Sequence, residues 1–252
     1  SVLRNIQSVK TVGTIRPIGP NSPWIEEQVQ LVKAASEAFG HEVLLFYNVF
    51  AAPRYLEFMH TGSNDANENF ARLLTEDKAG LKQIIDVMSD DLALLAERVI
   101  KEGGADGIYL SVQNLPRPEV TRDVYEEIIA PAEKKILAAA NAASEHNILH
   151  ICGYEGTRND LTWYKDYDVK AINYAAVVEG VKLSEAKKIF NGRTVIGGLA
   201  NTKDGVLYSG SKAAVEAATE AVIKDAGKQG VIIGADCTVP NDIDVQRLNW
   251  VR

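Results

Sequence analysis

The heptapeptide Asn147-Ile148-Leu149-His150-Ile151-Cys152-Gly153 decides how this chain is read. Its apolar run, closed by Asn147 and Gly153, has the pattern of a buried strand, and side chains alternate across a strand with a period of two. His150 and Cys152 therefore share a face at the strand's C-terminal end. A second apolar run, Val231-Ile232-Ile233-Gly234-Ala235-Asp236, leads directly into Cys237, which puts that thiol at a strand end too. The 252 residues hold no other cysteine. One imidazole and two thiols from strand ends match the donor set of a catalytic zinc, which takes three protein ligands and keeps a fourth position open. A plainer assignment competes with this. Free cysteine is among the most buried residue types, and His150 can equally be a core histidine bonded to a carbonyl. Two cysteines allow one disulfide but not the framework of a small secreted domain.

Outward from this strand, the sequence alternates. Upstream, Val43-Leu44-Leu45-Phe46-Tyr47-Asn48 and Ala105-Asp106-Gly107-Ile108-Tyr109-Leu110-Ser111 read as strands. Downstream, Val169-Lys170-Ala171-Ile172-Asn173-Tyr174 and Thr194-Val195-Ile196-Gly197-Gly198-Leu199 do the same. Helical stretches separate them. One runs over 23–39, with Pro23 in its first turn and Gly40 as its stop. Others run over 76–102, as one helix or two abutting ones, and over 122–146, with Pro131 opening a second helix. Ser184 caps a further helix, and Ser211 caps one reaching residue 226. Near-continuous apolar strands alternating with helices indicate an α/β fold with a parallel sheet covered on both faces.

Polar groups recur at the strand C-terminal ends: Asn48, Ser111, Cys152, Tyr174, Asn201 and Cys237. Barrels of the (β/α)8 TIM type place their chemistry there. The prediction is such a barrel, with residues 1–252 as one domain and six of the eight strands visible. Asn48, Gln113 and Tyr174 are expected to face the same cavity as His150, Cys152 and Cys237 and to bind substrate. Residues 1–23 offer only a short strand at 11–15 and a proline-rich loop, and 50–69 is an excursion able to cover a pocket. His60 in that excursion, His41 and His146 are expected to be solvated.

A hydrophobic content of 46% with 24% charged residues is ordinary for a globular protein in water. The net charge of −7 argues against a nucleic-acid or anionic-membrane surface. No apolar run is long enough to span a bilayer, and no signal-peptide pattern opens the chain. With reduced thiols, the expected location is the cytoplasm. No Gly-x-Gly-x-x-Gly turn opens a helix, and Gly197-Gly198 lies inside a strand, so no dinucleotide site is expected. The chain starts Ser1-Val2 without an initiator Met. It is expected to be processed or to be a piece of a longer protein.

Three segments together carry a family resemblance: Ile148-Leu149-His150-Ile151-Cys152-Gly153, Gly197-Gly198-Leu199 and Gly234-Ala235-Asp236-Cys237-Thr238-Val239-Pro240. They resemble the uroporphyrinogen decarboxylase superfamily, and within it the zinc-dependent branch that moves methyl groups between corrinoid proteins and thiols. That branch carries a His-x-Cys pair and a single Cys some eighty residues on, matched here by His150, Cys152 and Cys237. The resemblance implies a zinc ion on these three ligands, a methylcobamide as methyl donor, a corrinoid protein as partner and a small thiol as acceptor. It covers most of the chain, best over 97–240. Superfamily members are longer at the N-terminus, which would account for the two missing strands and the absent Met.

The decarboxylases proper bind no metal and carry a Gly-His-Gly type turn where this chain has Ala235-Asp236-Cys237. Other assignments stay open. A decarboxylase acting on a tetrapyrrole would use basic residues such as Arg54, Arg117 and Arg158. A zinc hydrolase or aldolase is disfavoured, because thiolates weaken the Lewis acid and no His-Glu-x-x-His helix is present. An incomplete barrel could also serve as a binding or assembly module, with both cysteines merely buried. In the zinc reading, Asp236 or Asp160 would accept a hydrogen bond from the imidazole. Six strands would leave two open edges, so a homodimer is expected.

Overall fold

Pro23 opens α1 (Pro23–Phe39), whose buried Ile25, Val29 and Val32 recur at helical spacing along one face. This computed structural model describes residues 15–58, 66–113, 119–153, 156 and 158–252. The strand expected at 11–15 (Ile15 apart), His60 and Arg117 lie outside them. The chain divides into two compact units, one ending at Asn147 and the other starting at Ile148.

In the first unit, α1 ends with Gly40 N–H on the Ser36 carbonyl, and the N–H groups of Glu42 and Val43 both reach the Phe39 carbonyl. These turns hold Val43 and Leu44 outside the ladder, 53% and 67% exposed. Strand β1 (Phe46–Phe50) therefore starts three residues later than the apolar run predicts. It is followed by α2 (Ala52–Phe58), α3 (Ala66–Glu76) and α4 (Lys78–Lys101). The helical segment thus begins well before residue 76, and Phe70, Leu73 and Leu74, buried at helical spacing, were the signal for it. Asp77 separates α3 from α4, its carboxylate accepting from Gly80 N–H at 2.9 Å.

Strand β2 (Gly107–Val112) lies parallel to β1, in register from Phe46 with Gly107 to Phe50 with Ser111. Helix α5 (Arg122–Val124), a π-turn (Tyr125–Ile129) and α6 (Ala130–Asn141) follow one another without a break. Pro131 in the first turn of α6 has no N–H to give the preceding turn, and the ladder widens just before it.

The second unit carries β3 (Ile148–Ile151), a 3-10 turn (Leu161–Tyr164), β4 (Ala171–Tyr174), α7 (Ala176–Glu179) and α8 (Leu183–Ile189). It continues with β5 (Thr194–Leu199), α9 (Val206–Ser209), α10 (Lys212–Ala226), β6 (Val231–Ala235) and α11 (Gln246–Asn249). The four strands run parallel in chain order. Ser211 caps α10 as expected, through Ala214 N–H at 3.2 Å. Ser184 does not cap α8. The helix begins one residue before it, and Glu185 reaches back to the Lys182 N–H at 3.0 Å.

Strands paired in parallel alternate with helices throughout, so the fold class is α/β. Six strands stand among the described residues, consistent with part of a (β/α)8 barrel. No helix among them is long and apolar enough to cross a membrane.

Candidate metal centre

The β3–β4 register sets His150 beside Asn173. His150 is 3% exposed, and its Nδ1 lies 2.5 Å from Asn173 Oδ1. The far side of the ring meets Cys237, whose Sγ is 3.4 Å from Nε2. Cys152 follows the last residue of β3, and the ligand atoms of His150, Cys152 and Cys237 all lie within 4.8 Å of one another. Tetrahedral zinc with ordinary bond lengths sets nitrogen and sulfur about 3.6 Å apart and two sulfurs about 3.8 Å apart. The 3.4 Å between Nε2 and the Cys237 sulfur is thus close to the separation that zinc sets, and Cys152 stands within reach of the same ion. The three side chains also bring the neutral-imidazole and thiolate donors that zinc prefers.

The three ligands come from two strand ends, those of β3 and β6. Gly153 runs so close to the start of α7 that a Cβ there would lie 2.6 Å from the Ala175 Cβ. The Cys152 carbonyl accepts from Asn159 Nδ2 at 2.9 Å, and Asn159 is itself tied by N–H and side chain to the Glu179 carboxylate. Cys237 is carried by Asp236, whose N–H extends the β5–β6 ladder onto the Leu199 carbonyl at 2.8 Å. The Asp236 carboxylate, 1% exposed, accepts from the N–H groups of Val177 and Gly198, each at 2.8 Å.

This explains Gly197-Gly198. Both have positive φ, 139° and 101°, and a Cβ on Gly197 would stand 3.0 Å from Asp236 Oδ1. The pair lets a buried carboxylate approach the strand backbone.

Burial pushes the Asp236 carboxyl up to about 6, against the opposing pull of its backbone N–H bonds. The Cys237 thiol moves the other way. The hydrogen bond from Cys152 holds it well below the ordinary thiol range, overcoming burial.

The model of the uroporphyrinogen decarboxylase (URO-D) family matches residues 1–251. The chain belongs to the uroporphyrinogen decarboxylase family. No curated protein matched the chain. Its membership makes it a relative of decarboxylases and methyltransferases built on this barrel.

The other site residues expected in this uroporphyrinogen decarboxylase family member make contacts of their own. Tyr174 follows Asn173 on β4 and so points to the opposite face. Its hydroxyl donates to the Val181 carbonyl at 2.8 Å, and its ring meets Phe190 edge-on at 6.2 Å. Burial raises its pKa. The structure does not bring Tyr174 to the cluster, because strand alternation turns it away. Asn48 and Gln113 belong to the first unit. Asn48 Oδ1 accepts from Ser111 Oγ at 2.8 Å, and Gln113 Oε1 accepts from the buried Arg54 at 2.6 Å. Asn201 donates to the Thr238 carbonyl at 2.9 Å.

The imidazole Nδ1 meets the Asn173 amide. Asp160 accepts from Thr162 N–H and Oγ1, and Asp236 is used as described above. Sequence reading passed over Asn173. Its signal was a lone polar residue between Ile172 and Tyr174 in a strand buried throughout. Arg158 donates to the Val178 carbonyl at 2.9 Å, and His41 and His146 are exposed as expected.

Proposed function

We propose that this chain is a zinc-dependent methyltransferase that passes a methyl group from a methylcobamide, carried by a corrinoid protein, to a small thiol. The observation that supports this is the gathering of the His150, Cys152 and Cys237 ligand atoms within 4.8 Å of one another, a donor set that zinc prefers. When bound there, zinc would supply a centre of no net charge able to keep a thiol as its thiolate near neutral pH.

The protein's own residues do the rest. His150 and Cys152 are buried, whereas Cys237 is half-buried, so a small thiol reaches the cluster from the Cys237 side. Asn173 meets the His150 ring, and Asp236 ties down the backbone next to Cys237. In the transfer, the thiol gives up its proton to solvent, the resulting thiolate sulfur supplies the electron pair of the new S–C bond, and the cobalt of the donor keeps the pair of the broken Co–C bond.

The test is to purify the protein without chelators, measure zinc, and follow thiol methylation with methylcobalamin as a stand-in donor. About one zinc per chain and a thioether product are expected. Consumption of uroporphyrinogen by metal-free protein, with no thioether formed, would favour the decarboxylase activity instead.

A further inference from the structure

We infer that Asn173 is a positioning residue that holds His150 in the tautomer with its proton on Nδ1, leaving the Nε2 lone pair facing the thiols. A side-chain amide has one accepting end and one end that only donates. The donating end of Asn173 is spent on two main-chain oxygens. Its Nδ2 lies 3.0 Å from the Ile196 carbonyl and 3.4 Å from the Ala235 carbonyl. Turned end for end, the amide would set its oxygen against both carbonyls, and its NH2 would face the imidazole. The two carbonyls thus fix which end meets His150.

That end is Oδ1, 2.5 Å from His150 Nδ1, and an oxygen of this kind can only accept. Nδ1 must therefore donate. A neutral imidazole has one N–H, so Nε2 presents its lone pair on the side where Cys237 Sγ stands 3.4 Å away.

The arrangement is written into the sheet. The register pairs His150 with Asn173 and Asn173 with Ile196, so one side chain spans three strands. Asn173 is 1% exposed, and bulk water does not compete for the amide. In water a free imidazole distributes its proton between both nitrogens, so the sheet removes a choice that would otherwise lower the fraction ready to bind a metal. The consequence for metal binding rests on the proposed zinc site, whereas the tautomer itself does not.

The test reads the tautomer directly, by ring-nitrogen NMR of 15N-labelled, metal-free protein at a pH where the imidazole is neutral. Wild type should show His150 protonated on Nδ1 alone. Asn173→Leu should show a mixture of tautomers and bind zinc roughly 10–100-fold more weakly. Asn173→Asp, with one oxygen accepting from Nδ1 and the other carrying a proton for the two carbonyls, should restore the Nδ1–H form. A wild-type signal for Nε2–H, or an unchanged tautomer in a folded Asn173→Leu variant, would overturn the assignment. If the leucine variant does not fold, wild type and the aspartate variant still decide it. Failure of wild type to bind zinc, with the tautomer as stated, would count against the methyltransferase and leave the role of Asn173 standing.

Discussion

Cys237 Sγ lies 3.4 Å from His150 Nε2, although 87 residues separate them in sequence. Only the parallel order of β3 to β6 brings these strand ends together, so the site depends on the sheet being formed. Cys237→Ala should leave two of the three ligands and lower zinc content to well under one equivalent. Cys152→Ala should do the same. Elemental analysis of the purified variants checks this, and full zinc retention in either one would mean that the ligand set is wrong.

Metal should also stabilise the fold, because the donors converge only in the native state. At a free zinc concentration 100-fold above the dissociation constant, linkage gives about 2.7 kcal/mol. Urea unfolding with and without a chelator measures it. The midpoint is expected to fall on chelation in wild type and to stay put in Cys237→Ala.

Gly197→Ala tests the approach of Asp236. Alanine would have to adopt a φ of 139° and bring its Cβ to 3.0 Å from Asp236 Oδ1 and 3.2 Å from the Tyr174 carbonyl. Backbone strain of this kind costs about 1–3 kcal/mol. Because Asp236 carries Cys237, zinc affinity should fall along with stability. Unchanged affinity would show that Cys237 is placed independently of Asp236.

How far the sequence revealed this site follows from which signals are local. His150 and Cys152 are two residues apart on one strand, and period-two alternation alone puts them together. Their meeting with Cys237 needed only the further inference that strand ends gather on one side of a parallel sheet. Alternation also bore on Tyr174. Adjacent residues of a strand face opposite ways, so Asn173 and Tyr174 could not both look into one cavity. Asn173 became legible only with the register, which no single strand encodes. The late start of β1 has the same cause. Val43 and Leu44 look like strand residues, but the turn that ends α1 claims the Val43 N–H.

Tyr174→Phe separates a packing role from a substrate-binding one. The lost hydrogen bond to the Val181 carbonyl should cost about 1 kcal/mol of stability. Zinc content and methyl transfer per bound zinc should not change, since the ring packs on Phe190 away from the cluster. A selective rise in the KM for the thiol would return Tyr174 to the substrate site.

The buried Glu179 gives a pH dependence whose sign is fixed. Its carboxylate accepts from Asn159 N–H and Nδ2. Burial is the larger influence and raises its pKa above the usual 4.5, with the Asn159 bonds and Arg158 opposing in part. A carboxyl with a raised folded-state pKa contributes stability that is complete below its unfolded pKa. That contribution is lost as pH rises through the folded value. Glu179→Gln removes this titration and keeps one acceptor for Asn159. The stability of wild type relative to the variant should therefore be greatest near pH 4 and shrink toward pH 7, as read by urea unfolding of metal-free protein at both pH values. Any loss from the weaker bond to Asn159 shifts the two measurements equally and leaves the trend intact. A wild-type advantage that grows with pH would mean that the Asn159 bonds outweigh burial and that the carboxylate is held charged.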